Sequence, residues 1–175
     1  HPDPQTVLVV GAGTGQTPSR FLLYRIDQLD CVDLEPRVFG MIERHFDSAW
    51  MKDRRVNMIR EDGRTFLSHG SSRYDIISLE VGQLFRPGVA TFYTADFYKR
   101  ARSRLKPDGL LGQFVPLPFL TEAQFRRVLG SFQSVFPHCA LWYNTSELLL
   151  IGINGERIEF ETSRLDLLAD REIHE

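Results

Sequence analysis

The sequence predicts an α/β domain built on a mostly parallel, seven-stranded sheet that closes with a C-terminal antiparallel hairpin. Three features lead to it. Short β-branched and apolar runs alternate with segments of helical periodicity along most of the 175 residues, the pattern of a parallel sheet covered on both faces. The last two strand-like runs lie only a few residues apart, too close for a parallel crossover, so they form a hairpin. The first strand-like run leads straight into "GAGTG", a turn of the kind that joins a strand to a helix where a ligand approaches the backbone.

The elements follow in order. "TVLVVG" predicts the first strand and residues 17–27 the first helix; "LDCVDL" predicts the second strand, followed by a helix over 36–49 with Pro36 suited to its first turn. "RVNMIR" and a helix over 63–69 come next, then "YDIISLE". The segment Val81–Tyr93, rich in glycine and aromatics, is either a mobile lid or a packed cover over the sheet edge. A helix over 94–106 is expected to close at "KPDG", Lys106–Gly109, and "LLGQFVPL" is the fifth strand. "TEAQ", Thr121–Gln124, fits a capping box opening a helix over 121–136, and "CALWYN" with "ELLLIGIN" forms the hairpin. Phe92, Phe97 and Tyr98 are expected in the core. A parallel sheet ending in one antiparallel strand is the Rossmann-like arrangement of class I methyltransferases. Residues 1–153 form this domain and 154–175 a polar appendage.

Composition narrows the function classes. A hydrophobic content of 42% and a net charge of −2 suit one globular domain and give no basic surface for nucleic acid. The basic cluster Lys99–Lys106 reads as a solvated helix face. No apolar run reaches the ~18 residues of a membrane span, so direct membrane insertion is not expected. Cys31 and Cys139 lack metal-type spacing and read as two buried thiols in a reducing, cytoplasmic setting; with histidines scattered along the chain, no metal site is expected.

The glycine loop carries the chemistry. Gly11, Gly13 and Gly15 give G-x-G-x-G, and Gln16 stands where a dinucleotide fingerprint needs its third glycine, so NAD and FAD are disfavoured. A nucleoside with a sulfonium tail, as in S-adenosylmethionine, suits the spacing better. Asp33, Asp62 with Gly63, and Glu80 end the second, third and fourth strands, which puts all three acids along the carboxyl edge of the sheet, where ligands bind. An acid after the second strand suits ribose hydroxyls, one after the third the adenine amino group, and Glu80 then faces the reacting end. Helix capping is the competing use for Asp33 and Asp62, and Glu35 competes for the ribose.

From "HPDPQTVLVVGAGTG" through "CVDLEP", "EDGRTFL", "YDIISLEVGQ", "GVATFYTADFYKRARSRLKPDGLLGQ" and "VFPHCALWY", the chain resembles the catalytic domain of the spermidine synthase (polyamine aminopropyltransferase) family, closest to bacterial spermidine synthase-like domains often joined to membrane-spanning segments. The resemblance implies decarboxylated S-adenosylmethionine as donor and a small-molecule amine as acceptor. It assigns Asp33 to the ribose, Asp62 and Gly63 to the adenine, and Glu80 to the place of the family's catalytic aspartate. Two positions depart from it. Thr14 in the loop and Gln83, three positions after Glu80 on the acceptor side, stand where the family carries aspartates. A neutral Thr14 removes a group that repels the carboxylate of ordinary S-adenosylmethionine. The family's small β-rich domain before the first strand is also expected to be replaced or absent here. Three functions therefore stand: aminopropyl transfer, methyl transfer from S-adenosylmethionine, and nucleoside binding without turnover. A homodimer is allowed for, as is attachment of this soluble domain to a larger membrane protein.

Overall fold

The computed structural model describes residues 1, 3–82, 86–143 and 147–159. Its first strand, β1 (Thr6–Val10), is an apolar run whose last four residues are buried. A strand buried on both faces needs partners at both edges and helices above and below. β1 finds its edges in β2 (Gln28–Asp33) and β4 (Tyr74–Leu79), both parallel to it, with Val10 opposite Val32 on one side and Leu79 on the other. β3 (Val56–Arg60), β5 (Leu105–Val115), β6 (Cys139–Tyr143) and β7 (Leu148–Ile153) complete a sheet of order β3-β2-β1-β4-β5-β7-β6. β7 runs against its neighbours β5 and β6, which gives the predicted seven strands and closing hairpin.

Alternation along the strands divides the core in two. Val7, Val9, Leu29 and Cys31 face α1 (Gln16–Phe21), α2 (Arg37–His45) and Trp50. On the other face, Leu8, Val10, Ile77 and Leu79 meet α3 (Gly63–His69), α4 (Ala95–Ser103) and α5 (Glu122–Gln133). Phe92, Phe97 and Tyr98 are core residues here, in edge-on ring pairs at 4.9 Å (Phe92–Phe97) and 5.0 Å (Tyr98–Phe132). The capping box at Thr121 and Gln124 forms as expected. Among the described residues no helix is long and apolar enough to cross a membrane.

Several expectations are corrected. α1 stops at Phe21 rather than residue 27, because the Arg55 guanidinium takes the Leu22 and Tyr24 carbonyls at 3.1 and 3.2 Å and holds the chain in a turn. α2 stops at His45, where Phe46 is extended, and a 3-10 turn over Ala49–Lys52 follows. "KPDG" is not a helix end: α4 has finished at Ser103, and Lys106–Gly109 loops out of β5, since Leu105 pairs with Tyr74 while Leu110 pairs with Ile76. Asp108 sits there at φ 58°, its N–H donating to the Asn154 carbonyl at 3.0 Å, while Asn154 N–H donates to the Gly109 carbonyl at 2.9 Å.

The basic cluster is only partly a solvated face. Lys99 and Arg100 are exposed, but Arg102 donates to Asn154 Oδ1 and the Val135 carbonyl, Arg104 is buried against the Gly70 carbonyl, and Lys106 pairs with Asp75 at 2.8 Å. Cys31 is buried as expected; Cys139 is half-buried. Most of the expected appendage, from residue 160 onward, lies outside the described residues.

One glycine fixes how α3 meets the sheet. A Cβ at Gly63 would run into Val10 Cγ1 and stand 3.5 Å from the Phe92 ring, so the helix approaches β1 more closely than any side chain permits. Gly63→Ala is therefore expected to destabilise the fold by about 1–3 kcal/mol through overpacking. An unchanged urea midpoint in that variant would contradict this packing.

Candidate functional site

The strand order reverses between β1 and β4, so the chain leaves these two strands toward opposite sides and opens a crevice at their carboxyl ends. Main-chain bonds hold its walls together: Gly11 N–H donates to the Val32 carbonyl at 2.8 Å, and Glu80 N–H to the Val10 carbonyl at 2.9 Å. Gly11, Gly13 and Gly15 have φ of 96°, 55° and 86°, a region L side chains rarely occupy. Gly15 caps α1, and a Cβ there would stand 2.6 Å from the Trp50 indole nitrogen.

The acids divide by surroundings. Asp33 Oδ2 accepts the Ala12 N–H and Oδ1 the Glu35 N–H, both at 2.9 Å, so this carboxylate pins the glycine loop to the end of β2. Each oxygen keeps a second lone pair for a ligand. Asp62 caps α3, accepting from Arg64 N at 2.9 Å and Thr65 N at 3.2 Å, and pairs with Arg64 Nη2 at 2.7 Å. The Arg64 hydrogen bond is the main force holding its pKa below the usual carboxylate range. The capping use is thus realised for Asp62. Glu35 turns to Arg37 at 2.9 Å. Asp33, Asp62, Gly63, Gly11, Gly13 and Glu80 nevertheless line one cavity of about 470 Å³, within the ~300–1,000 Å³ typical of small-molecule sites.

Glu80 is set apart. Its Oε1 accepts from Ser78 Oγ at 2.6 Å, and Thr17 also bonds to the carboxylate. Burial pushes its pKa up, the nearby charge of Glu147 adds to that, and the two hydroxyl bonds oppose it. Glu80 also lines a second cavity, of about 650 Å³, together with Thr14, Arg20, Phe114, Trp142 and Glu147. Gly11, Gly13 and Glu80 belong to both cavities, so the carboxylate stands where the two meet. Gly15 lines neither and serves the loop, while Gln83 lies outside the described residues. The end of the Val81–Tyr93 segment is a packed cover: Phe92 and Tyr93 are buried, and the Tyr93 hydroxyl lies 2.7 Å from the Val81 carbonyl and 3.0 Å from that of Phe114.

The sequence reading missed Ser78, Thr17, Arg20, Trp142 and Glu147. Ser78 alone left a local signal, a hydroxyl inside an apolar strand two residues before Glu80 and so on the same face. The others reach the site from α1 and from the hairpin, and only the assembled sheet brings them there.

A family model described as "Spermine/spermidine synthase domain" matches residues 1–152. A polyamine aminopropyltransferase of Nitrosomonas europaea is 31% identical over 140 residues, covering 78% of this chain and 43% of that protein. The chain spans about two fifths to a half of the curated relatives it matches. Among solved structures, a spermidine synthase in complex with the transition state analogue AdoDATO superposes with a TM-score of 0.80 at 19% identity, covering 95% of this chain and 59% of that one. Human methyltransferase-like protein 13 in complex with SAH gives 0.76 at 18% identity, over 98% and 83% of the two chains.

The raised pKa of Glu80 has a sign that can be checked. Between the ordinary carboxyl value and the elevated one, the folded state binds more protons than the unfolded state, so this group costs stability as pH rises through that window. Glu80→Gln retains an acceptor for Ser78 and carries no charge. It is expected to melt above the native protein at about pH 7, with the gap closing toward about pH 4. A lower melting temperature at pH 7 would make Glu80 a structural residue.

Proposed function

The chain belongs to the spermine/spermidine synthase family, and on that premise we propose that its two cavities hold the donor and the acceptor of an aminopropyl transfer, with Glu80 between them. The observation that carries this is the shared wall: one ionisable group, raised in pKa and half-buried, reaches both cavities. The first cavity suits the nucleoside of decarboxylated S-adenosylmethionine. Asp33 offers its remaining lone pairs to the ribose hydroxyls, Asp62 and Gly63 border the adenine, and the Gly11–Gly15 turn with Thr14 leads the sulfonium tail toward Glu80. The AdoDATO complex of a spermidine synthase with the same fold supports a donor of this kind. Methyl transfer is less supported, since the family description and the relatives' names both point to polyamine chemistry. We place the nucleoside-binding unit at residues 1–153. Free Cys31 and Cys139 fit a cytoplasmic setting, alone or within a larger membrane-attached protein, and a homodimer is its proposed assembly.

The residues then divide the work. An acceptor amine with a pKa near ~10.4 arrives protonated and is no nucleophile in that form. Glu80 attracts the ammonium and takes its proton, directly or through a water. The freed nitrogen attacks the methylene carbon next to sulfur: the N–C bond forms, the C–S bond breaks, and its electron pair stays on sulfur as a neutral thioether. Ser78 and Thr17 fix the carboxylate's position, and the glycine loop brings the two cavities close enough for an in-line approach. Gln83 is proposed to contact the acceptor.

Two measurements test this. Methylthioadenosine is expected to bind and NAD not to; Asp33→Asn is expected to weaken nucleoside binding by about 1.5–3 kcal/mol, while Glu35→Gln, whose carboxylate serves Arg37, changes it little. Binding of NAD alone would overturn the donor site. With a transferable acceptor in hand, Glu80→Gln is expected to lower turnover by about 10²–10⁴ while leaving methylthioadenosine affinity in place. Intact turnover in that variant would remove Glu80 from the chemistry.

A further inference from the structure

The second cavity carries both signs of charge. Glu80 and Glu147 bring carboxylates to it, and Arg20, in the last turn of α1, brings a guanidinium to the same wall. Thr14 beside them is neutral, and Phe114 and Trp142 supply aromatic surface. A simple diamine presents ammonium groups at both ends and is best met by anions at both ends. A guanidinium among them repels it, and the repulsion grows as the ligand displaces water. A group carrying an ammonium and a carboxylate on one carbon asks for the opposite arrangement, one cationic and one anionic partner side by side. The guanidinium fork matches a carboxylate in a bidentate way that a lysine cannot reproduce.

We propose that this cavity receives an α-amino-acid head group, its carboxylate on Arg20 and its ammonium between Glu80 and Glu147. Two sources present that chemistry: an acceptor amine that retains an α-carboxylate, or the tail of a donor that has not been decarboxylated. The proposal deepens the two-cavity assignment above and rests on it for the position of the nucleoside next door. It needs no acid at position 14, where an anion would face the ligand's carboxylate.

Calorimetric titration of the whole chain with two matched pairs separates the sources. S-adenosylhomocysteine differs from methylthioadenosine by carrying the head group, and ornithine differs from putrescine by the α-carboxylate; the second pair is run with and without methylthioadenosine. In at least one pair the member with the head group is expected to bind about tenfold or more tightly than its mate, the size of a charge-assisted contact. A preference within the first pair assigns the head group to the donor, and one within the second assigns it to the acceptor.

Arg20→Gln is expected to erase the preference and Arg20→Lys to retain part of it. Should Arg20→Gln fail to fold, Thr14→Asp on the same exposed wall is the second variant, expected to weaken the head-group ligand about tenfold and shift the balance toward putrescine. Equal binding within both pairs, tighter putrescine with no preference in the first pair, or a preference that survives loss of the Arg20 charge or addition of the Thr14→Asp charge would each overturn the proposal. Loss of methylthioadenosine and S-adenosylhomocysteine binding with the ornithine preference intact would instead sink the nucleoside assignment and leave this one standing.

Discussion

Two main-chain hydrogen bonds at the end of β1 set the geometry on which the rest of the site depends. Gly11 N–H reaches across to β2 through the Val32 carbonyl, and the Val10 carbonyl accepts from Glu80 beyond β4. A residue with a side chain at position 11 would have to adopt φ 96° with its Cβ 3.4 Å from the Glu80 main chain. The glycine loop is therefore permissive toward a ligand and is also what allows the catalytic candidate to come this close to the first cavity. The reversal of strand order at this point supplies the crevice, and these two bonds decide which residues share it.

The carboxylates show how one edge of a sheet keeps charge in different states. Asp33 and Asp62 have their oxygens engaged by backbone N–H groups, and Asp62 by Arg64 as well, so both are positioned before any ligand arrives. For Asp33, holding the loop and offering an acceptor to a ligand are the same task, because each oxygen accepts one backbone bond and still has a second lone pair. Among the described residues Glu80 receives bonds from hydroxyls, half-buried and beside another carboxylate, so its charged form is the costly one. In the proposed role of proton acceptor that cost is an advantage, since basicity rises with pKa.

Much of this was legible in the chain because it is local. Strand runs, the hairpin and the capping box depend on neighbours in sequence, and the three acids are found by counting to the ends of strands. What escaped depends on distant partners. α1 ends early because Arg55, 33 residues after Leu22, claims that residue's carbonyl. "KPDG" looks like a helix stop but is a looped-out stretch of β5, which becomes visible only when Leu105 and Leu110 are both paired to β4. The helical spacing of the basic cluster gave no warning that Arg104 turns inward to the Gly70 carbonyl. Arg20 and Glu147 lie more than a hundred residues apart in the chain and line one cavity only through the fold.

That difference in range bears on how such a domain diverges. The first cavity is made from strand ends in the middle of the sheet and from glycines that side chains cannot replace, so its residues answer to the fold as well as to the ligand. The second cavity takes its outer wall from α1 and from the β6–β7 hairpin at the sheet's edge, where Trp142 is half exposed and Glu147 immediately precedes the last strand. Exposed positions on that wall tolerate substitution with small effects on stability. An exchange of charge at an exposed position such as 14 thus leaves the sheet and Glu80 where they are while changing what lies beside them. The physical consequence is a first cavity and a Glu80 held by the fold beside a second cavity whose outer wall is adjustable, so on the proposed assignment the identity of the second ligand is read from the side chains of that wall.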